Sequence, residues 1–257
     1  MRRTIAALVL FGISFGYVEA AVVVYLRAIY DPIRQQLHPE RKPHDLFPLI
    51  SPQQLAEAGP ENTRRLVIEI GREAATMAML AGIALACGRN LHEQVAAFAI
   101  AFGVWDIAFY GFLKLMIQWP ESLSTWDILF LIPLPWVGPV WAPVLVALTM
   151  IICGLISLRY GGLRFGISHW LGIWGGAVTI ILAFVWDYHN IASGGLPKGF
   201  NWPLFLAGVM IGLMAFLAGA RNREYRGSRT QPDSELLPRS LANGQSSPVQ
   251  AARPVLD

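Results

Sequence analysis

Residues 4–28 read TIAALVLFGISFGYVEAAVVVYLRA, an apolar run in which Glu19 is the only acid. Crossing about 30 Å of hydrocarbon takes roughly 20 such residues at about 1.5 Å each, so this run is long enough for a transmembrane helix. Met1-Arg2-Arg3 in front of it also resembles the start of a secretory signal, with Val18-Glu19-Ala20 as a cleavage site. The apolar stretch outruns the usual signal-peptide core of roughly 7–15 residues, which favours an uncleaved span.

Working outward, the same pattern recurs. A second span starts near Leu66 or Glu73 and ends at Cys87, and a third covers Gln94 to Gln118. A fourth covers Val140 to Leu158, a fifth Phe165 to Trp186 and a sixth Trp202 to Ala220. Of the 257 residues 54% are hydrophobic and 14% charged, whereas a soluble domain carries about 25% charge, too much for this chain to match. The reading is therefore an all-α, polytopic integral membrane bundle of about six helices in one domain, residues 1–220.

Pro133, Pro135, Pro139 and Pro143 crowd the stretch before the fourth span. A helix is expected to break there, leaving Ile128 to Ile132 as a short interfacial or re-entrant piece. Residues 30–65 hold Pro32, Pro39, Pro43, Pro48, Pro52 and Pro60 and read as the main extramembrane loop. Trp119-Pro120 reads as an interfacial helix end. Residues 221–257 open with Arg221, Arg223 and Arg226 and continue with too little apolar content for a core, so a disordered tail is expected.

Orientation follows from the arginines. Six spans put Arg2, Arg3, Arg89, Arg159, Arg164 and the Arg221–Arg229 cluster on one side, which the positive-inside rule makes the cytoplasm, so both termini are cytoplasmic, with the plasma (inner) membrane as the expected home. Arg34, Arg41, Lys42, Arg64 and Arg65 in the outer loop run against that assignment. The net charge of +3 serves topology here, and no nucleic-acid partner is expected. Cys87 and Cys153 lie inside apolar runs without metal-binding or redox spacing and read as small packing residues. The partner the composition demands is the lipid bilayer.

Small residues four apart, Gly12 and Gly16, Gly172 and Gly176, Gly208 and Gly212, allow helix backbones to approach closely. They serve either packing within the bundle or a homo-oligomer seam.

Ionisable residues inside apolar spans carry more information, because a charge at the bilayer centre costs at least about 2.5 kcal/mol and needs a partner or water. Glu19 lies three residues after Gly16, and Asp106 shares a helical face with Gly103, Tyr110 and Lys114. Glu73, one turn after Glu69 and beside Arg72, reads as a cavity group or as an interfacial charge pair. In this topology Glu19, Glu73, Asp106, Tyr110, Lys114, Asp127, Asp187 and His189 lie at mid-depth or in the outer half, which suggests an outward-facing polar cavity. Lys114 and Asp127 have interfacial alternatives, and His169 reads as an interface histidine near the cytoplasmic end of the fifth span.

These residues suit a transporter-like protein, in which a buried carboxylate takes up a proton or cation beside a broken helix. The alternative is a membrane-embedded enzyme using the carboxylates as metal ligands or as acid and base. Asp187-Tyr188-His189 stands alone, however, without an HExxH or repeated ExxH pattern, and no nucleophile elbow occurs. A membrane assembly or scaffold protein would need none of these charges. Catalytic residues, metal and cofactor stay unassigned by the sequence.

Overall fold

The structure is a computed structural model that describes residues 1–160, 163 and 165–227. The tail expected to be disordered lies, from residue 228 onward, outside the described residues. In chain order the elements are α1 (Arg2–Leu37), α2 (Pro52–Glu57), α3 (Pro60–Cys87), α4 (Leu91–Ile117), β1 (Trp126–Phe130), β2 (Trp136–Pro139), α5 (Trp141–Arg159), α6 (Ile167–Phe184), α7 (Tyr188–Ala192) and α8 (Trp202–Gly227). Among them α1, α3, α4, α5, α6 and α8 are long and apolar enough to cross a membrane. The chain is an all-α, multi-pass membrane bundle.

Local chemistry sets several boundaries. The Asn90 side chain accepts from the Glu93 amide at 3.0 Å to open α4, and Gln118, at φ 57°, closes it. Pro60 occupies the first turn of α3, where its missing N–H costs nothing, directly after Gly59 at φ 130°. Ser51 and Gln54 form a capping box on α2, with the Ser51 amide donating to Gln54 at 2.8 Å and the Gln54 amide to Ser51 at 3.2 Å.

Two stretches between the spans hold more structure than the sequence revealed. The polar stretch 30–65 is not one loop, because α1 runs on to Leu37 through Pro32, and α3 begins at Pro60. Proline removes only its own amide from the ladder, so Pro32 costs α1 the one bond to the Ala28 carbonyl, at the end of the apolar run. The Arg34–Asp31 pair at 2.9 Å braces the same turns. The segment around Ile128 to Ile132, expected as a short interfacial or re-entrant piece, takes strand form. It is one arm of a two-stranded antiparallel hairpin in which Trp126 faces Pro139, Asp127 faces Gly138 and Ile128 faces Val137. Pairing lets a proline-rich stretch satisfy its backbone groups where helix is forbidden. Pro133 and Pro135 fall in its turn, and Pro143 falls in the first turn of α5.

Helix α4 is the hub and packs against α1, α3 and α5, while α6 pairs with α8. Glycines make these approaches possible. A Cβ at Gly16 would lie 2.8 Å from the Ala108 Cβ and 2.9 Å from the Trp105 carbonyl oxygen of α4. On the other pair, a Cβ at Gly176 would lie 2.6 Å from the Gly212 amide nitrogen and 2.7 Å from the Gly208 carbonyl oxygen. The three glycine pairs singled out in the sequence are thus occupied within the chain. A fourth seam, α4 on α5, uses Gly103 and Gly154.

Candidate functional site

The second half of α1, the first half of α3, the second half of α4 and strand β1 enclose a cavity of about 210 Å³. It lies at the end of the bundle away from Met1, because α1 enters it only from Glu19 onward and the hairpin after α4 closes over it. Its wall carries five carboxylates, Glu19, Glu69, Glu73, Asp106 and Asp127, against three guanidiniums, Arg27, Arg34 and Arg72.

On one side Arg72 joins α3 to α1. Its Nη1 donates to Glu19 and its Nη2 to Glu69, while its Nε donates to both Glu69 oxygens at 2.9 Å. Thr76 adds a 3.5 Å bond to the other Glu19 oxygen. The spacing explains the grouping: Glu69, Arg72, Glu73 and Thr76 are three or four apart and share one helical face. Glu19 and Glu69 thereby share one planar, two-sided donor suited to carboxylates.

On the other side the hairpin supplies the partners. Tyr110 Oη donates to Asp127 Oδ2 at 2.8 Å, and the Ile128 amide donates to Asp127 Oδ1 at 2.9 Å. The Leu131 amide donates to Glu73 Oε2 at 2.9 Å. Burial pushes the Asp127 carboxyl up to about 6, against the opposing pull of the Arg27 charge, the Tyr110 hydroxyl and the Ile128 amide. Arg27 lies with its Cζ 3.9 Å from the centre of the Trp119 ring and donates to the His44 carbonyl oxygen at 3.4 Å. Arg34 is paired with Asp31.

Three of the wall carboxylates, Glu73, Asp106 and Asp127, form no ion pair among the described residues. Among the described residues Asp106 Oδ2 is buried without a hydrogen-bond donor, and Arg27 Nε and Trp105 Nε1 on the same wall are buried without an acceptor. Among the described residues no three His, Cys, Asp or Glu side chains stand close enough to hold a metal ion.

Of the residues singled out in the sequence, Glu19, Glu73, Asp106 and Tyr110 line this cavity, together with Asp127. Lys114, Asp187 and His189 do not. Lys114 is exposed and donates to the Gln118 and Pro120 carbonyl oxygens at 3.3 and 2.8 Å, closing the end of α4. Asp187 accepts from Asn190 at 2.8 Å in the turn before α7, and His189 is exposed beside Tyr188. Their end of the bundle is the same, but Ile191 of α7 packs on Phe47 and Val137, beyond the hairpin.

Sequence reasoning gave Arg27 no role at the cavity and did not give Arg72 its partner Glu19. A signal for Arg27 existed. Steps of seven from Ala20 reach Arg27 and Arg34, and all three are buried on α1.

The fold and this cavity define a class, that of multi-pass membrane proteins with a charged cavity inside a helical bundle. No protein-family model matches the chain, and neither does any curated protein or any solved structure.

Proposed function

We propose that the chain is a transporter-like protein of the plasma (inner) membrane, with both termini in the cytoplasm and its polar cavity facing outward. The observation that carries this reading is Asp106, whose second carboxylate oxygen is buried on the cavity wall with no donor. An ionisable group at that depth is costly unless a mobile ligand or a proton satisfies it, and such groups mark solute and ion paths. The wall's surplus of carboxylates over guanidiniums supports the same reading.

The test is charge movement. Protein reconstituted in liposomes on a solid-supported membrane would be challenged with jumps of protons, sodium, potassium and small amines. A transient current in the wild type that is lost in a well-folded Asp106→Asn variant supports a carrier. Silence to every jump, or equal currents from both proteins, overturns it.

A further inference from the structure

We infer that the cavity takes a small organic monocation, a protonated or quaternary amine, paired with the Asp106 carboxylate. This deepens the carrier reading and rests on it for the cavity's role. Four observations bear on the choice of ligand. First, Asp106 belongs to the cavity wall, is only 8% exposed, and has a carboxylate oxygen with no hydrogen-bond donor among the described residues. Second, Glu19 and Glu69 share Arg72, Asp127 is held by Tyr110 and the Ile128 amide, and Glu73 accepts from the Leu131 amide, so among the described residues Asp106 is the wall carboxylate with neither an ion pair nor a hydrogen-bond donor.

Third, the space is too large for a bare ion. At about 30 Å³ per liquid water, a cavity of about 210 Å³ has room for a molecule. Fourth, aromatic side chains of Trp105, Phe109 and Phe130 stand on the wall with Asp106. Their rings offer weak, multidirectional attraction to a poorly hydrated cation, as in ammonium-binding aromatic sites. A hard divalent cation instead needs about six or more oxygens, and no acidic cluster of that kind is present among the described residues.

The full chain in lipid nanodiscs would be titrated calorimetrically with ethylammonium, tetramethylammonium, neutral ethanol, sodium and potassium. Binding of one or both ammonium ions, with no heat from ethanol or the alkali ions, is the expected result. Asp106→Asn should weaken that binding by about thirtyfold or more, the effect of removing one partner of a buried charge pair. Phe109→Leu, which keeps every charge, should weaken it by about threefold, and this variant keeps the test decisive if Asp106→Asn does not fold. Equal binding of sodium or potassium, unchanged affinity in Phe109→Leu, or no ammonium binding overturns the inference. Proton or sodium currents without ammonium binding overturn the ligand while leaving the carrier standing, and ammonium binding without any current does the reverse.

Discussion

The Tyr110 hydroxyl lies 2.8 Å from the Asp127 carboxylate, both are buried, and the bond ties the β1–β2 hairpin to the second half of α4. The hairpin is also tied to α3 through the Leu131 amide and Glu73. A proline-rich segment between two spans is thereby made a wall of the cavity.

Removing the first tie should be measurable. Tyr110→Phe deletes one hydrogen bond to a buried carboxylate and is expected to destabilise the protein by about 1.5–3 kcal/mol. Thermal unfolding in detergent reads this directly. A change within a few tenths of a kcal/mol would show that the bond does not hold the hairpin.

Asp127 also gives the fold a pH dependence of known sign. Its folded value of about 6 lies above the ordinary aspartate value of about 3.9. The folded state then binds more protons than the unfolded one between those values. This contribution to stability is full below about 4 and is lost as pH rises through about 6. Unfolding temperatures of wild type and Asp127→Asn, compared from pH 4 to 7, should diverge in that direction. Parallel curves would contradict it.

Arg72 should resist conservative replacement. Arg72→Gln strands Glu19 and Glu69 without a cation, an effect of about 3–5 kcal/mol for a buried network. Arg72→Lys should recover only part of it, since one ammonium cannot reproduce a fork that reaches both carboxylates. Adding Glu19→Gln to Arg72→Gln should soften the loss, and additive losses would mean that the two residues are not coupled.

Two glycines should behave oppositely. Gly16→Ala places a methyl 2.8 Å from Ala108 and should cost about 1–3 kcal/mol by forcing α1 from α4. Gly82→Ala meets nothing within 4 Å and should be neutral or slightly stabilising. Detergent melting curves of the two variants decide this, and equal effects would refute the α1–α4 seam.

Orientation can be read by labelling. Ser122, exposed beside the hairpin, is expected on the outer surface. Ser122→Cys should react with a membrane-impermeant maleimide in intact cells once Cys87 and Cys153 are replaced. Reaction only after permeabilisation would invert the proposed topology.

The sequence by itself determined the spanning helices, because hydrocarbon thickness imposes a length that apolar runs either meet or miss. It also made Glu19, Glu73, Asp106 and Tyr110 conspicuous, since polar groups within such runs are costly wherever they point. It could not supply partners, which depend on distances between helices far apart in the chain. Arg72 reaches Glu19 across 53 positions, and Leu131 reaches Glu73 across 58. Nor did helical periodicity suffice for Lys114, whose flexible stem turns to the carbonyls ending α4 although it shares a face with Asp106 and Tyr110. The hairpin was hidden for a related reason: prolines announce that helix must stop, but only a partner strand decides how the freed backbone is satisfied. Tertiary structure, by packing α1 and α3 around α4 and laying that hairpin over them, decided which of the buried charges meet.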